Sequence, residues 1–295
     1  MAQYILSCDS TADISAEHLA ARSIEYNKIN YILGGVQYRD DHGLTVPYEK
    51  FYADIASGVD SVTSQSNIQE YADYFTPFLE KGLDVVHIGF SGGLSGTLNS
   101  ARNAAALLKD SFPERTVYVV DSLAASGGYG LLMDDAADRR DEGLCAEELV
   151  SWVEENRLYY HHWFFSTDLS YYVKGGRISK ASAVFGGMLE ICPLMDMDAG
   201  GHLVPRFKIR TKKRVIKEIA NKMAALAENG TDYSGKCFIN HSNCLDDCMQ
   251  VVDLVEQQFP QLKGKVLVNW IGTSVGAHTG PGTVALFFRS NEIRK

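Results

Sequence analysis

Positive charge is scarce in this 295-residue chain, which has 28 Lys and Arg against 37 Asp and Glu and a formal net charge of −9. A phosphate backbone recruits basic patches, and here the basic residues are mostly dispersed, which argues against nucleic acid as the main partner. The local exception runs from Lys208 to Lys217 and includes Arg210, Lys212, Lys213 and Arg214. Such a run is ordinarily the solvated start of a helix. Long apolar runs are also missing. None approaches the ~20 residues of a membrane span, and the opening Met1 to Leu6 meets Asp9 and Asp13 too soon for a signal peptide. The expectation is a cytoplasmic chain without stable membrane insertion. Six cysteines lack the spacing of a secreted disulfide framework and read as reduced thiols. His241, Cys244 and Cys248 lack a Cys-x-x-Cys pair, so no metal site is expected.

What is present is a repeated unit of apolar strand, polar turn and helix. It occurs at Tyr4–Leu6 before Asp9-Ser10-Thr11-Ala12-Asp13, at Val85–Phe90 before Ser91 to Thr97, and at Val117–Val120 before Asp121 to Ser126. Continuous apolar strands alternating with helices indicate a parallel sheet covered on both faces. Helical stripes support this: Leu98, Ala101, Ala105 and Leu108 form one, and Ile68, Tyr71, Phe75 and Phe78 another. Near His161 the character changes. Irregularly spaced strands at Trp163–Phe165, Ile191–Met195, Phe238–Ile239, Val266–Ile271 and Val284–Phe288 alternate with helices at Arg214–Ala227 and Leu245–Phe259. The fold class predicted is α/β: a doubly wound, parallel-sheet domain over residues 1–160, then a second α/β domain over 161–295. The second sheet is predicted as mixed or antiparallel, with helices on one face.

Polar loops at the carboxyl ends of parallel strands are where such sheets hold ligands. The most informative is Ser91-Gly92-Gly93-Leu94-Ser95-Gly96-Thr97. Its glycines admit a ligand close to the backbone, and it opens a helix whose first amides suit an anion. Ser95 has two readings at this point, a carboxylate ligand or a simple helix cap. The loop lacks the Lys-Ser/Thr ending of a phosphate-binding loop. Thr97 stands where a nucleophile elbow needs its last glycine, yet Ser95, Asp121 and His278 occur in the Ser…Asp…His order of α/β-hydrolases. A serine hydrolase acting on acyl esters is therefore the alternative. Ser66 with Gln69 fits a capping box, leaving Thr63 and Ser64 free to face a ligand. Arg177, on the turn Lys174-Gly175-Gly176-Arg177, reads as a carboxylate clamp, an exposed turn residue or a contact between domains. An apolar segment with Val184, Phe185, Met188 and Leu189 follows. His278 sits in what reads as a glycine-rich turn, Gly276 to Gly282.

Taken in order, Asp9-Ser10-Thr11-Ala12-Asp13, Thr63-Ser64-Gln65, Leu94-Ser95-Gly96-Thr97, Asp121-Ser122, Lys174 to Ser179, Arg210 to Lys213 and Gly276 to Gly282 resemble the motifs of the DegV family of bacterial fatty-acid-binding proteins. The resemblance spans nearly the whole chain. It departs from the family at Ser91-Gly92, where two adjacent serines are common, and at Ser66, where proline is common. It implies a two-domain carrier without enzymatic activity or cofactor that buries one long-chain fatty acid. Thr63, Ser95 or Ser91, His278 and Arg177, with Gly92 and Gly93 in the loop, are implied at the carboxylate. Arg177 is expected to face outward, toward a partner. That partner, by the same resemblance, is an ATP-dependent fatty acid kinase that makes the acyl phosphate used in lipid synthesis.

Overall fold

The computed structural model describes residues 4–179 and 191–295. The chain begins with β1 (Tyr4–Asp9), a 3-10 turn at Ser10–Ala12, α1 (Ala16–Ala21) and β2 (Ile24–Asn27). Next come β3 (Asn30–Leu33), β4 (Val36–Arg39), α2 (Tyr48–Ala56), β5 (Ser61–Ser64) and α3 (Ile68–Glu80). After these follow β6 (Asp84–Gly89), α4 (Thr97–Ser111), β7 (Val117–Asp121), α5 (Ser126–Asp141) and α6 (Ala146–Asn156). The remainder contains β8 (Tyr160–Ser166), α7 (Ser170–Lys174), β9 (Ile191–Met197), β10 (Leu203–Arg210) and α8 (Lys212–Leu226). It ends with β11 (Phe238–His241), α9 (Leu245–Gln258), β12 (Leu267–Trp270), α10 (Thr273–Thr279) and β13 (Thr283–Arg289).

The first sheet is all parallel, in the order β2-β1-β6-β7. Successive side chains of β6 face opposite ways, as a strand requires. Val85 packs with Tyr71, Phe75, Ala101 and Leu108 of α3 and α4. Val86 and Ile88 pack on the other face with α5 and α6. The second sheet has the order β10-β9-β8-β13-β11-β12. Its β11–β12 pair is parallel and the others antiparallel, so the sheet is mixed.

The expectation of helices on one face of that sheet is corrected. Trp163, Phe165, Val284 and Leu286 face α8 and α9. Phe164, Met195, Ala285 and Phe287 face the other way and share one buried cluster with Leu131, Leu132 and Met133 of α5. Helix α5 is buried almost all round along Ser126–Asp134, which is how a helix between two layers must be. The sequence pattern concealed this, because a helix shared by two sheets shows no single apolar stripe.

A third sheet, β4-β3-β5, was not anticipated. Its strands are four residues long and β4 is largely exposed, so no alternation marks them. It places Thr63 opposite Tyr31. The cap of α3 is also one residue later than the sequence suggested. Asn67 and Glu70 form the capping box, and Ser66 is buried instead. His278 lies in the last turn of α10, not in an irregular glycine turn. Small residues at Gly276 and Ala277 disguised a helix tightly packed against α2 and its neighbours.

A buried arginine and a partly exposed lysine cluster fasten the layers. Arg294, 3% exposed, donates to the carbonyls of Leu123 (2.8 Å), Arg157 (3.4 Å), Met197 (3.4 Å) and Asp198 (3.2 Å), which joins the loop after β7 to the β9–β10 hairpin. Lys236 meets Asp134 (2.6 Å), Asp135 (3.0 Å) and Asp138 (2.6 Å) on α5, and His18 Nε2 lies 2.8 Å from Asp134. Burial alone would raise the Asp134 pKa. Hydrogen bonds from His18 and Lys236, with their charge, outweigh it and hold that carboxyl at about 2. A folded pKa below the unfolded value near 3.9 gives stability that is complete above the unfolded value and lost as pH falls toward 2. Wild type should therefore lose urea resistance between about pH 4 and pH 2 more steeply than Asp134→Asn. Parallel urea midpoints across that window would contradict the assignment.

Candidate functional site

A cavity of about 520 Å³ opens where the loops after the first sheet meet the inner face of the second. Phe90, Phe164, Met197, Leu203, Ala285 and Phe287 give it apolar walls. Thr63, Ser95, Thr97, Lys174, Arg177 and His278 bring polar groups to it from four separate elements and two loops. No Asp or Glu lines it among the described residues, although the chain is acidic overall. Charge at this site is cationic.

Each polar group has a local cause. Thr63 stands near the end of β5, and its Oγ1 lies 2.7 Å from Nε2 of His278 on α10. Burial, reinforced by the charge of Arg177, pushes the His278 pKa down to about 4, so the ring is neutral at pH 7. Ser95 serves the start of α4: its hydroxyl accepts the Thr97 amide (3.2 Å) and donates to Thr97 Oγ1 (2.9 Å). The cap position of α4 is Gly96, without a side-chain cap, so Ser95 satisfies the Thr97 amide from one residue ahead of it and also lines the cavity. Arg177 is half-buried rather than exposed, and its Nη1 donates to the Gly175 carbonyl at 2.5 Å. Burial lowers its pKa from the usual arginine value. Lys174 remains exposed and pairs with Asp60.

Thr63, Ser95, His278 and Arg177 are therefore brought to one cavity, but the first half of the glycine loop is not. Ser91 is fully buried, donating to the Gly201 carbonyl (2.8 Å) and accepting the Gly93 amide (3.2 Å). The Gly92 amide points at the Asp121 carboxylate, 3.3 Å from both oxygens. A Cβ on Gly93 would come within 2.6 Å of the Gly200 carbonyl oxygen. Ser91, Gly92 and Gly93 do not line the cavity; Ser91 and Gly93 seat the β9–β10 hairpin against the loop, and Gly92 packs on Asp121. The glycines permit close backbone approach, but to another part of the chain.

The hydrolase alternative is corrected by the same geometry. Asp121 is engaged by the amides of Gly92 and Leu123, the latter at 2.8 Å. Ser95 is bonded to Thr97, and His278 to Thr63. A triad needs the nucleophile bonded to the base and the base oriented by the acid. Neither link exists among the described residues. Sequence order put these three in sequence, not in contact.

Thr97 lines the cavity beside Ser95, as a hydroxyl donor of the glycine loop would, whereas Lys174 carried no ligand expectation although it lies in the turn that bears Arg177. The apolar walls gave no local signal, since Phe164 and Phe287 read only as strand residues. The segment with Val184, Phe185, Met188 and Leu189 lies outside the described residues. No group of three or more His, Cys, Asp or Glu gathers to hold a metal among the described residues. No helix among them is long and apolar enough to cross a membrane.

Fold and site together define a layered α/β protein with a largely apolar cavity whose lining carries hydroxyl groups and cationic side chains. The family model described as "Uncharacterised protein, DegV family" matches residues 6–291. A DegV domain-containing protein of Clostridium perfringens is 30% identical over 288 residues, covering 98% of each chain. The chain belongs to the DegV family. Among solved structures, it is similar to a DegV family protein of Thermus thermophilus described as binding fatty acid, with 27% identity, a TM-score of 0.84, and 98% and 99% of the two chains covered. The fatty acid kinase (Fak) B3 protein of Streptococcus pneumoniae, solved loaded with linoleic acid, shares the fold at 19% identity, with a TM-score of 0.83 and 99% and 100% coverage.

With no assembled triad, a fluorophosphonate probe should leave Ser95 unlabelled and p-nitrophenyl esters should not turn over. Labelling abolished by Ser95→Ala but kept in other serine variants would restore the hydrolase. Gly93→Ala should destabilise the fold by about 1–3 kcal/mol, the usual cost of forcing atoms into a packed contact. An unchanged melting transition would show that the hairpin does not depend on that approach.

Proposed function

We propose that this chain binds one long-chain fatty acid in the cavity, without catalysing a reaction on it, and presents the carboxylate to a partner kinase for acyl-phosphate formation. The observation that carries the reading is a largely apolar cavity whose charged lining, among the described residues, is cationic and whose polar lining includes Thr63, Ser95, His278 and Arg177. The fatty acids held by its structural relatives support it.

The physical chemistry agrees. Burying ~14 methylenes at ~0.8 kcal/mol each gains roughly 11 kcal/mol before association costs. Affinity therefore comes from the tail. The hydroxyls are needed because a carboxylate taken out of water without hydrogen bonds is expensive. Neutral donors satisfy it without protonating it, leaving an oxygen able to attack ATP held by the partner. The sequence has no phosphate-binding loop, so that nucleotide and its chemistry come from elsewhere. In the two-domain division at residue 160, the first unit supplies Thr63 and Ser95. The second supplies His278, Arg177 and most of the acyl wall. Arg177 lines the cavity, which supports a role at the head group and, beyond it, toward the partner's nucleotide.

Protein purified from a bacterial host should release fatty acid in near-stoichiometric amount when it is denatured and the extract analysed by mass spectrometry. No lipid, together with no heat of binding for palmitate or oleate, would end the carrier reading. A hydrogen bond to a charged group contributes about 1.5–3 kcal/mol, a minority of the total. Thr63→Ala and Ser95→Ala should accordingly retain lipid while kinase-dependent phosphorylation falls sharply. Variants that lose the lipid outright would place the affinity at the head group instead.

A further inference from the structure

Among the aromatic walls of the cavity stands one group that a plain hydrocarbon tail cannot use. His162 lines the cavity from β8 and is 3% exposed. Its ring meets Phe287, another lining residue, edge to face with 5.4 Å between centroids. Ring Nδ1 lies 2.9 Å from the Tyr160 carbonyl. A carbonyl only accepts, so Nδ1 carries the proton of that bond. Burial, reinforced by the Arg294 charge, drives the His162 pKa well below the ordinary histidine value, so the ring holds no second proton. Nε2 is therefore a bare acceptor. It is buried without a partner among the described residues.

A buried polar atom left unpaired is costly, and folded proteins keep few of them. We infer that the cavity accommodates acyl chains that carry a hydroxyl group in their distal half, and that His162 Nε2 accepts the hydrogen bond this hydroxyl donates. Thr11 lines the same cavity, and its hydroxyl is likewise buried without a partner among the described residues. It supplies the donor that the ligand's oxygen needs. Both groups sit against the first turns of α5. A Cβ on Gly128 would fall 2.2 Å from His162 Nε2, and one on Gly130 would fall 2.5 Å from the carbonyl of Ala12, next to Thr11.

This inference rests on the carrier reading and names a substrate class within it. Strand register sets where along the chain the hydroxyl belongs. Strands β8 and β13 pair with Ser166 opposite Thr283 and His162 opposite Phe287. Thr283 begins β13 just after α10, the helix that carries His278. His162 is four strand residues further on, ~13 Å at ~3.3 Å per residue. A staggered acyl chain advances ~1.3 Å per carbon, so that distance corresponds to roughly ten carbons. A hydroxyl near the carboxylate falls short of His162. A ketone at the right carbon also fails, because it accepts and has no proton to give.

Calorimetry on delipidated protein tests this with stearate, 12-hydroxystearate, 12-oxostearate and 2-hydroxystearate. Wild type should bind 12-hydroxystearate within about threefold of stearate and roughly tenfold more tightly than 12-oxostearate. In His162→Phe, first checked for a native circular dichroism spectrum, the ratio of hydroxy to oxo affinity should fall by roughly tenfold. The affinity for 2-hydroxystearate relative to stearate should be the same in both proteins. A 12-hydroxy acid bound more than about tenfold more weakly than stearate by wild type overturns the inference, as does an equal hydroxy-to-oxo ratio in wild type and variant. In either case binding of stearate leaves the carrier reading intact. Binding of none of the four acids defeats that reading and this inference with it. Should His162→Phe fail to fold, nitrogen-15 spectra of wild type decide: the His162 Nε2 resonance should differ between the 12-hydroxystearate and stearate complexes, and identical resonances overturn the inference.

Discussion

Helix α5 is wedged between two sheets, and most of the molecule is arranged around that contact. Its residues from Ser126 to Asp134 have almost no exposed side. One buried cluster passes from Leu6, Val86 and Ile88 of the first sheet, through Leu131 to Met133, to Phe164 and Phe287 of the second. Packing of this kind leaves little freedom between layers, because close-packed interiors transmit displacement rather than absorb it. The cavity survives where the loops after the parallel strands and the inner face of the mixed sheet fail to close on each other.

That placement explains why the site is a composite. Thr63 comes from a small third sheet, Ser95 from the start of α4, Arg177 from the turn after α7, and His278 from α10. None of these could be positioned without the others' scaffolds. The Ser91 to Gly93 contacts and Arg294 hold the β9–β10 hairpin against the glycine loop, which in turn fixes where α4 begins. Structural and ligand-facing duties are thus divided within one seven-residue motif. Its first three residues hold the scaffold, and its last four line the cavity.

The strands and long helices were legible because periodicity is a local property. Tyr71, Phe75, Ala101 and Leu108 pack in one cluster as their stripes implied, although Ile68 is exposed and Ala104 rather than Ala105 joins that cluster, and β8, β9 and β13 contain the apolar runs read as strands. Elements without a periodic signal were not. The short strands β3 to β5 have four residues each, with β3 mostly buried and β4 mostly exposed, so they show no clear alternation, and α10 is too short and too rich in small residues to show a stripe. Likewise Ser66 and Asn67 are both plausible caps in sequence. Only the hydrogen bond between Asn67 and the Glu70 amide distinguishes them.

The sequence by itself determined the α/β class, the parallel character of the first sheet, and the family, since apolar periodicity and motif order are written along the chain, whereas the parallel β11–β12 pair that makes the second sheet mixed rather than antiparallel came from the structure. It also supplied the four polar residues that the cavity gathers. Tertiary structure alone decided which glycines face backbone rather than cavity, that Asp121 is spent on loop amides, and that His278 meets Thr63 across 215 positions. Such pairings depend on how layers dock, and docking is settled by packing between distant segments, which no local pattern encodes.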